Sequence, residues 1–302
     1  MRDSPTVRIM PGGRRLHLQD GPIDLIVEAY GRREQIHAAY DSAARRFLTI
    51  LDELCSELAL LRQAVRGNVT PPQGVIARRM ARAVEPYAER CFITPMAAVA
   101  GAVAEEILET MTKETELARC YVNNGGDIAL YLTPGESFSV GMVDRPDRPS
   151  LFGRLRIRSE DSIRGLATSG WRGRSFSLGI ADAVTVLAVD APAADAAATI
   201  IANAVDLPDH PEIVRVPACE IAPDNDLGEL CVTRAVPKLC SGEVQQALAS
   251  GASVAEELIS EGLVLATALH LQGQTRVVPL ALRTPNLVAD KSEPTEWSVT
   301  HA

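Results

Sequence analysis

The fold of this 302-residue chain is indicated first by Asn123-Asn124-Gly125-Gly126-Asp127-Ile128. This stretch follows a strand-like run and places two glycines before an acid. Gly125 and Gly126 permit positive φ and a close approach of the backbone, so exposed N–H groups of the turn could meet a phosphate or the edge of a purine. A plain turn between two strands, in which Asp127 caps its own amides, explains the same residues.

A second short motif, Ala167-Thr168-Ser169-Gly170, ends another strand-like run. Two hydroxyls followed by a glycine at the end of a strand can bind phosphate oxygens. Serine and threonine also satisfy the backbone of their own turn, which is their more frequent role. The motif alone is therefore compatible with the wall of a site and with a structural turn.

The third motif, Ala194-Asp195-Ala196-Ala197-Ala198-Thr199, has helical character, and its two polar residues are four positions apart. Side chains at this spacing project from one face of a helix. A carboxylate and a hydroxyl, together with a backbone carbonyl from elsewhere, would suit Mg²⁺, which prefers oxygen ligands and keeps several waters. The alternative is that Asp195 only complements the positive end of a helix that begins after Pro192.

In this order, the three motifs resemble the ApbE-like family, whose best-known members are FAD:protein FMN transferases, and more narrowly the branch called UPF0280. The resemblance implies an α+β, T-fold-like architecture with a mainly antiparallel sheet covered by long helices. It also implies a nucleotide site, and the residues expected to bind the nucleotide or cofactor are Asn124, Gly125, Gly126, Asp127, Thr168, Ser169 and Gly170. The implied metal ligands are Asp195, Thr199 and the backbone carbonyl of Ala97.

Two segments depart from the transferase pattern. Where the family has a sequence like D-L-G-A-I-A-K-G-Y-A-V-D, this chain has Thr94 in place of the first Asp and Ala100 in place of the charged residue. The segment that matches H-x-I-D-P-x-T-G has no histidine here, so a proton acceptor at neutral pH would have to come from elsewhere. Arg172 and Arg174 could replace the lost charges by binding a phosphate or a carboxylate. A solvated strand edge explains these arginines equally well.

These observations leave different classes of function open. If the chain is an enzyme, the resemblance implies a Mg²⁺-dependent, FAD-utilising transferase or an FAD pyrophosphatase, acting on a phosphoanhydride. The alternative is a non-catalytic protein that binds a purine, pterin or flavin, or a catalytically dead scaffold of the same fold. The expected partner is a small nucleotide-like molecule, with Mg²⁺ as cofactor and FAD as substrate or ligand. The small-residue helix that begins at Thr94 could support a homo-oligomer, although such a face is more often a core contact.

Composition and charge restrict the class of protein further. The net charge of -9 argues against nucleic-acid binding, which needs a concentrated basic face. The chain has no apolar run of the ~18 residues that a membrane span needs, and its start lacks the apolar segment of a signal peptide. A cytoplasmic location is therefore expected. The six cysteines form no CxxC pair and are expected to be reduced and buried.

The hydrophobic periodicity predicts one α+β domain over residues 1–280 and a polar, loosely ordered tail over 281–302. Helices are predicted at 34–65, 75–87, 94–113, 192–204 and within 242–260. Strands are predicted as a pair within 14–28, at 120–123, 128–132, 137–143, 154–158, 163–168 and 183–189, and as a hairpin at 263–271 and 275–280.

Overall fold

Alternating burial of side chains builds the central sheet. The segment Ile23–Gly31 buries every second residue as far as Ala29, which is the pattern of a strand with one face on a core. The segment Ala183–Ala188 is buried at all its positions, as expected of a central strand that is covered on both faces.

The structure, a computed structural model, describes residues 4–65, 71–143, 151–279 and 287–288. The strands are β1 (Thr6–Ile9), β2 (Arg15–Asp20), β3 (Ile23–Gly31), β4 (Leu117–Asn124), β5 (Asp127–Leu132), β6 (Ser137–Val143), β7 (Leu151–Arg158), β8 (Gly165–Ser169), β9 (Ala183–Ala188), β10 (Val214–Pro217), β11 (Cys231–Ala235), β12 (Ala266–Leu271), β13 (Gln274–Pro279) and β14 (Leu287–Val288). The α-helices are α1 (Arg33–Ser56), α2 (Leu58–Leu61), α3 (Val75–Val84), α4 (Val99–Thr112), α5 (Ala191–Ala204), α6 (Ala218–Ile221) and α7 (Ser241–Ser260). Single 3₁₀ turns lie at Glu85–Tyr87 and Pro95–Ala98.

Within the described residues, nine strands form one sheet in the order β1-β2-β3-β4-β5-β8-β9-β12-β13, and each neighbouring pair is antiparallel. A three-stranded sheet has the order β14-β7-β6, and β10 pairs with β11. The prediction of an α+β fold with a mainly antiparallel sheet covered by helices is confirmed.

The helices pack on the sheet in two adjoining groups. The core under α1 and α4 includes Leu18, Val27 and Phe47, and the core under α5 and α7 includes Val186 and Leu269. On the other face of the sheet, side chains of β6 and β7 close a third and smaller core. The helix α5 therefore lies at the middle of the molecule, where it contacts α4, α7, β8 and β9.

The long first helix predicted at 34–65 is interrupted at Glu57. Glu57 adopts φ -112° and ψ 11°, outside helical geometry, so α1 ends before it and the single turn α2 follows. The Glu57 carboxylate accepts hydrogen bonds from the N–H groups of Gln73 (2.7 Å) and Gly74 (2.6 Å). Because Gly74 is the N-cap of α3, this side chain fixes the beginning of that helix.

The helix predicted from Thr94 begins as expected, with the Thr94 hydroxyl accepting a hydrogen bond from the N–H of Met96 at 3.2 Å. The turn with Pro95 is 3₁₀, and the α-helix itself begins at Val99. Its small-residue face is buried inside the chain: a methyl group on Gly101 would lie 2.4 Å from the carbonyl oxygen of Ala191. This face is an intramolecular contact, so a homo-oligomer would need another surface.

Other elements were not predicted from the sequence. They are β1, the two strands β10 and β11 with α6 between them, and β14, which pairs with β7. The rest of the predicted tail, residues 281–286 and 289–302, lies outside the described residues. Among the helices of the described part, none is both long and apolar enough to span a bilayer.

The prediction that the cysteines are buried is wrong for most of them. Only Cys120, on β4, is buried, whereas Cys55, Cys91, Cys231 and Cys240 are exposed. Cys55 and Cys240 lie at an exposed helix position and at the N-cap of α7. Hydrophobic periodicity does not separate these positions from buried ones, because cysteine is small and only weakly polar.

Candidate functional site

The Gly-Gly turn connects β4 to β5 and is tied to the beginning of α4. Gly125 and Gly126 adopt φ values of 65° and 114°, a conformation that L side chains rarely take. The N–H of Gly126 donates to the side-chain oxygen of Asn123 at 2.8 Å, so this amide is not available to a ligand. The side chain of Asn124 is buried and donates to the backbone carbonyl of Ala100 at 3.1 Å.

Asp127 does not cap its own turn, because Asn123 performs that role. The Asp127 carboxylate instead accepts a hydrogen bond from the N–H of Thr168 on the neighbouring strand, with a distance of 3.3 Å. This contact brings the first two sequence motifs together at one end of β5 and β8.

Asp195 likewise does not cap the N-terminus of its own helix. Asp190 is the N-cap of α5 and accepts from the N–H of Ala193 at 2.8 Å. The Asp195 carboxylate accepts from the N–H of Gly101 at 2.9 Å, at the beginning of α4. The alternative role considered for Asp195, complementing the end of α5, is therefore wrong.

The two carboxylates form one electrostatic unit. Burial raises the pKa of Asp127 to about 7, against the opposing effects of the Thr168 N–H and the charge of Arg174. The pKa of Asp195 lies well above its usual range because of burial and then because of the neighbouring negative charge of Asp127. An acid whose pKa is raised by burial and by a neighbouring carboxylate is a favourable place for a cation, which removes the repulsion between the two charges.

The Thr-Ser-Gly motif brings fewer side-chain groups to the candidate site than the sequence suggests. The Thr168 hydroxyl lies 3.0 Å from the hydroxyl of Thr185, its partner on β9. Side chains alternate along a strand, so Thr168 shares a face with Leu166, while Ser169 shares the opposite face with Ala167, which packs in the core beneath α5. The Ser169 hydroxyl therefore lies on the face of the sheet that α5 covers. Thr168 contributes only its backbone N–H there, to the Asp127 carboxylate.

Gly170 has a packing role. A methyl group there would lie 2.5 Å from the carbonyl oxygen of Asp182, so any other residue would push the two backbones apart. The glycine that ends the motif is required by the fold, whether or not a ligand approaches.

The two remaining predicted metal ligands lie one helical turn from the centre of the site. Thr199 follows Asp195 by four residues on α5, and among the described residues its hydroxyl has no hydrogen-bond partner. Ala97 lies in the 3₁₀ turn before Ala100 and Gly101, and its N–H donates to the carbonyl of Thr94. The described residues contain no group of three or more His, Cys, Asp or Glu that could hold a metal. An ion here would have to use hydroxyl and carbonyl oxygens besides the two carboxylates, and such hard donors suit Mg²⁺.

The two arginines near the site have different surroundings. The Arg172 guanidinium donates to Asp182 at 2.7 Å and lies over the ring of Trp171, 4.2 Å from its centroid. Arg174 is exposed and lies against the Gly-Gly turn: a methyl group on Gly125 would be 2.5 Å from its Nη2 atom. Only Arg174 is therefore placed to meet a ligand at this turn.

A separate cleft of about 450 Å³ lies between α3, α4 and the beginning of α5, and it contains none of the predicted site residues. Arg78 and Arg82 line it, together with Glu105, which accepts from the N–H of Ala191 at 3.1 Å. Burial raises the pKa of Glu105 to about 7. Sequence analysis did not find this cleft, although the spacing of two arginines by four residues is a visible signal of a shared helix face.

With this geometry in place, comparison with known proteins identifies the family. A family model described as AbpE bacteria matches residues 7–277. The chain belongs to this family. The predicted ApbE-like membership is confirmed, and the motif order that suggested it lies within the matched range.

Curated relatives agree with this assignment over part of their length. A UPF0280 protein of Methanopyrus kandleri is 41% identical over 159 residues, which cover 52% of this chain and 61% of the relative. A UPF0280 protein of Methanothermobacter thermautotrophicus is 38% identical over 138 residues, which cover 45% of this chain and 50% of the relative. The chain thus spans between half and two thirds of these relatives. A crystal structure of the ApbE protein of Thermotoga maritima is 15% identical, covers 82% of this chain and 76% of that one, and has a TM-score of 0.35.

Proposed function

We propose that this protein binds a flavin-type nucleotide together with Mg²⁺ at the junction of α4, α5 and the Gly-Gly turn. The observation that carries the proposal is the pairing of Asp127 and Asp195, two partly buried carboxylates, in which the charge of Asp127 raises the pKa of Asp195 beside the first residues of α4. A buried pair of like charges is costly to keep without a function, and perturbed acids in such a place are typical of functional sites.

The ion would be held by Asp195 and Asp127, with the Thr199 hydroxyl and the Ala97 carbonyl as further oxygen ligands. When bound, Mg²⁺ would polarise a phosphate group and neutralise charge that develops on a leaving phosphate. The chain's own groups orient this arrangement. The Gly101 N–H fixes one oxygen of Asp195, and the Thr168 N–H fixes one oxygen of Asp127.

If the protein is catalytic, the reaction that fits this site is cleavage of the FAD phosphoanhydride. Attack by water would release FMN and AMP, and attack by an acceptor hydroxyl would transfer FMN and release AMP. In either case the nucleophile loses its proton and AMP leaves with the electrons of the broken P–O bond. Because Asp127 would be a ligand of the ion in this arrangement, the proton of the nucleophile would pass to solvent water.

A second candidate, binding without catalysis, is favoured by a specific observation. Among the described residues, the two buried histidines, His17 and His270, lie on strands and bond to Asp24 and Thr275, away from the three motifs. A purine, pterin or flavin carrier would need the pocket but no acid–base group. The cytoplasmic location expected from the sequence is part of either proposal.

The two candidates are separated by a thermal-shift and turnover experiment. Purified protein is heated with FAD, FMN, ATP or a pterin, each with and without Mg²⁺, and FAD samples are then analysed for FMN and AMP. A Mg²⁺-dependent shift with FAD that disappears in Asp195→Asn supports the proposed site. Release of FMN and AMP adds catalysis, and a metal-independent shift with a pterin or purine supports the carrier. No shift with any of these ligands would refute the nucleotide proposal.

A further inference from the structure

Arg174 differs from the other arginine of its loop, because it has no carboxylate partner among the described residues. Arg172 is held by Asp182, which also accepts from the N–H of Gln272 at 2.7 Å. Among the ion pairs of the described residues, none includes Arg174, although its charge lowers the pKa of Asp127. Its guanidinium is thus positive, exposed and directed toward the site.

The position of Arg174 depends on the absence of a side chain at Gly125. Because a methyl group there would come within 2.5 Å of Nη2, only glycine lets the guanidinium lie directly on the peptide of this turn. Gly126, the other glycine of the turn, has open space where its methyl group would be. Glycine at 125 therefore serves the positive φ and leaves room for the guanidinium, whereas glycine at 126 serves only the positive φ.

We propose that Arg174 and the Gly125 peptide form a phosphate subsite of the candidate site, for a ligand with a phosphate or pyrophosphate group. The proposal rests on the proposed function and names the part of the ligand that this arginine binds. A guanidinium presents parallel N–H donors that match phosphate oxygens. Two carboxylates repel an anionic ligand, and Arg174 supplies positive charge on the side of the turn, while position 100 carries only alanine.

A purely structural role for Arg174 makes a different prediction. If the guanidinium only balances Asp127, its removal makes the carboxylate pair more negative, so the affinity for Mg²⁺ alone increases and phosphate binding falls only indirectly. If it binds phosphate directly, its removal weakens inorganic pyrophosphate and FAD alike, even though the loss of its charge beside Asp127 favours the binding of Mg²⁺ alone. The two roles can therefore be separated by titrating each component.

The experiment is isothermal titration of the full chain and of Arg174→Gln with Mg²⁺ alone, with inorganic pyrophosphate plus Mg²⁺, and with FAD plus Mg²⁺. We expect Arg174→Gln to weaken the binding of pyrophosphate and FAD about tenfold or more, since one lost bidentate contact has about this effect, and not to weaken the binding of Mg²⁺ alone. The matched control is Arg33→Gln, which removes another exposed arginine. Arg33 is the first residue of α1, two positions after Gly31. Gly31 pairs with Leu117, and Leu117 and Asn124 lie at opposite ends of β4. Arg33 is therefore at the end of β4 that does not carry the Gly-Gly turn.

A second pair of variants tests the geometry without touching the arginine. Gly125→Ala and Gly126→Ala both introduce strain at a positive φ, but only the first displaces the guanidinium. We expect Gly125→Ala to weaken pyrophosphate binding as Arg174→Gln does, and Gly126→Ala to retain it. Circular dichroism of each variant identifies loss of folding.

The outcomes distinguish this inference from the proposal on which it rests. Unchanged FAD and pyrophosphate binding in Arg174→Gln, with binding lost in Asp195→Asn, overturns the phosphate subsite and retains the proposed function. An increase in Mg²⁺ affinity with no direct loss of pyrophosphate binding also overturns the subsite. No binding of FAD or pyrophosphate by the wild-type chain overturns both.

Discussion

The Asp195 carboxylate accepts a hydrogen bond from the backbone N–H of Gly101 at 2.9 Å, although the two residues are 94 positions apart. This bond joins α5 to the beginning of α4, where Gly101 packs against the backbone of Ala191. The contact is possible because Gly101 has no side chain to keep Ala191 away. The same small residue therefore determines the packing of two helices and the position of the candidate metal ligand.

Gly101→Ala should destabilise the protein by about 1–3 kcal/mol, the usual effect of overfilling a packed contact. The added methyl group would lie 2.4 Å from the carbonyl oxygen of Ala191 and 2.9 Å from the Cα of Pro192, and backbone atoms cannot rotate away. Urea unfolding measures the change. The control is Gly242→Ala in the first turn of α7, where the nearest atom is the Cys240 sulfur at 3.8 Å, and stability should stay equal or increase by up to about 1 kcal/mol. Equal stability of both variants and wild type would show that α4 and α5 can move apart freely.

Asp195→Asn should stabilise the protein in the absence of metal and abolish stabilisation by Mg²⁺. The amide keeps an oxygen for the Gly101 N–H but removes the negative charge that burial and Asp127 both disfavour. At pH 7.5 without metal we therefore expect the variant to be more stable than the wild type. The melting temperature with and without Mg²⁺ tests both parts.

Asp52→Asn on α1 is a suitable control, because it makes the same replacement of a carboxylate by an amide at an exposed position. Its melting temperature should respond to Mg²⁺ as the wild type does. A Mg²⁺ response that persists in Asp195→Asn would place the ion elsewhere.

The sequence was sufficient for the local features of the site and insufficient for its long-range contacts. The Gly-Gly turn, the Thr94 cap and the helix at Asp195 all follow from residues within a few positions of each other. The partner of Asp195 does not, because the hydrogen bond to Gly101 comes from tertiary packing. Nothing local distinguishes Arg172 from Arg174 either, since their difference depends on Asp182 and on the approach of the loop to Gly125.

The fold shows the same division. The strands β2, β3, β12 and β13 alternate or border a glycine turn, and they were predicted as pairs. The short strands β10 and β11 have no such pattern: three of the four residues in β10 are only partly buried. Because β10 and β11 pair, β11 lies beside Ser177, and the N–H of Thr233 donates to the Ser177 carbonyl. Hydrophobic periodicity does not predict this contact.

Glu57→Ala should lower the free energy of unfolding by about 1–2 kcal/mol, because hydrogen bonds from two backbone N–H groups to one carboxylate are lost. These bonds, to Gln73 and Gly74, hold the beginning of α3 against the end of α1. Chemical denaturation gives the value, and amide hydrogen exchange should increase first in α3. Glu89→Ala, which removes an exposed acid, should have little effect. A protection pattern unchanged in α3 would mean that other contacts fix this helix.

The stability of the protein should fall as the pH rises from about 5 to about 8, and part of this fall should come from Glu105. Burial raises the pKa of Glu105 from 4.5 to about 7, so between these values the folded state binds a proton that the unfolded state has released. Stability then decreases with increasing pH across this window and levels off above it. Glu105→Gln imitates the protonated acid and keeps an oxygen for the N–H of Ala191. At pH 5 the variant should match the wild type, and at pH 8 it should be more stable by about 1–2 kcal/mol, the discounted equivalent of the shift in pKa.

Glu109→Gln, one turn further along α4, should change the stability at pH 8 in the opposite direction. Its hydrogen bond from Arg79 lowers the pKa of Glu109, so the carboxylate is stabilising above about pH 4.5, and the variant should be less stable than wild type at pH 8. Urea titrations of the three proteins at pH 5, 6, 7 and 8 make the comparison. If Glu105→Gln is less stable than wild type at pH 8, the charged carboxylate at the beginning of α5 is favourable despite its burial. The 450 Å³ cleft beside it would then hold a permanently ionised acid at neutral pH.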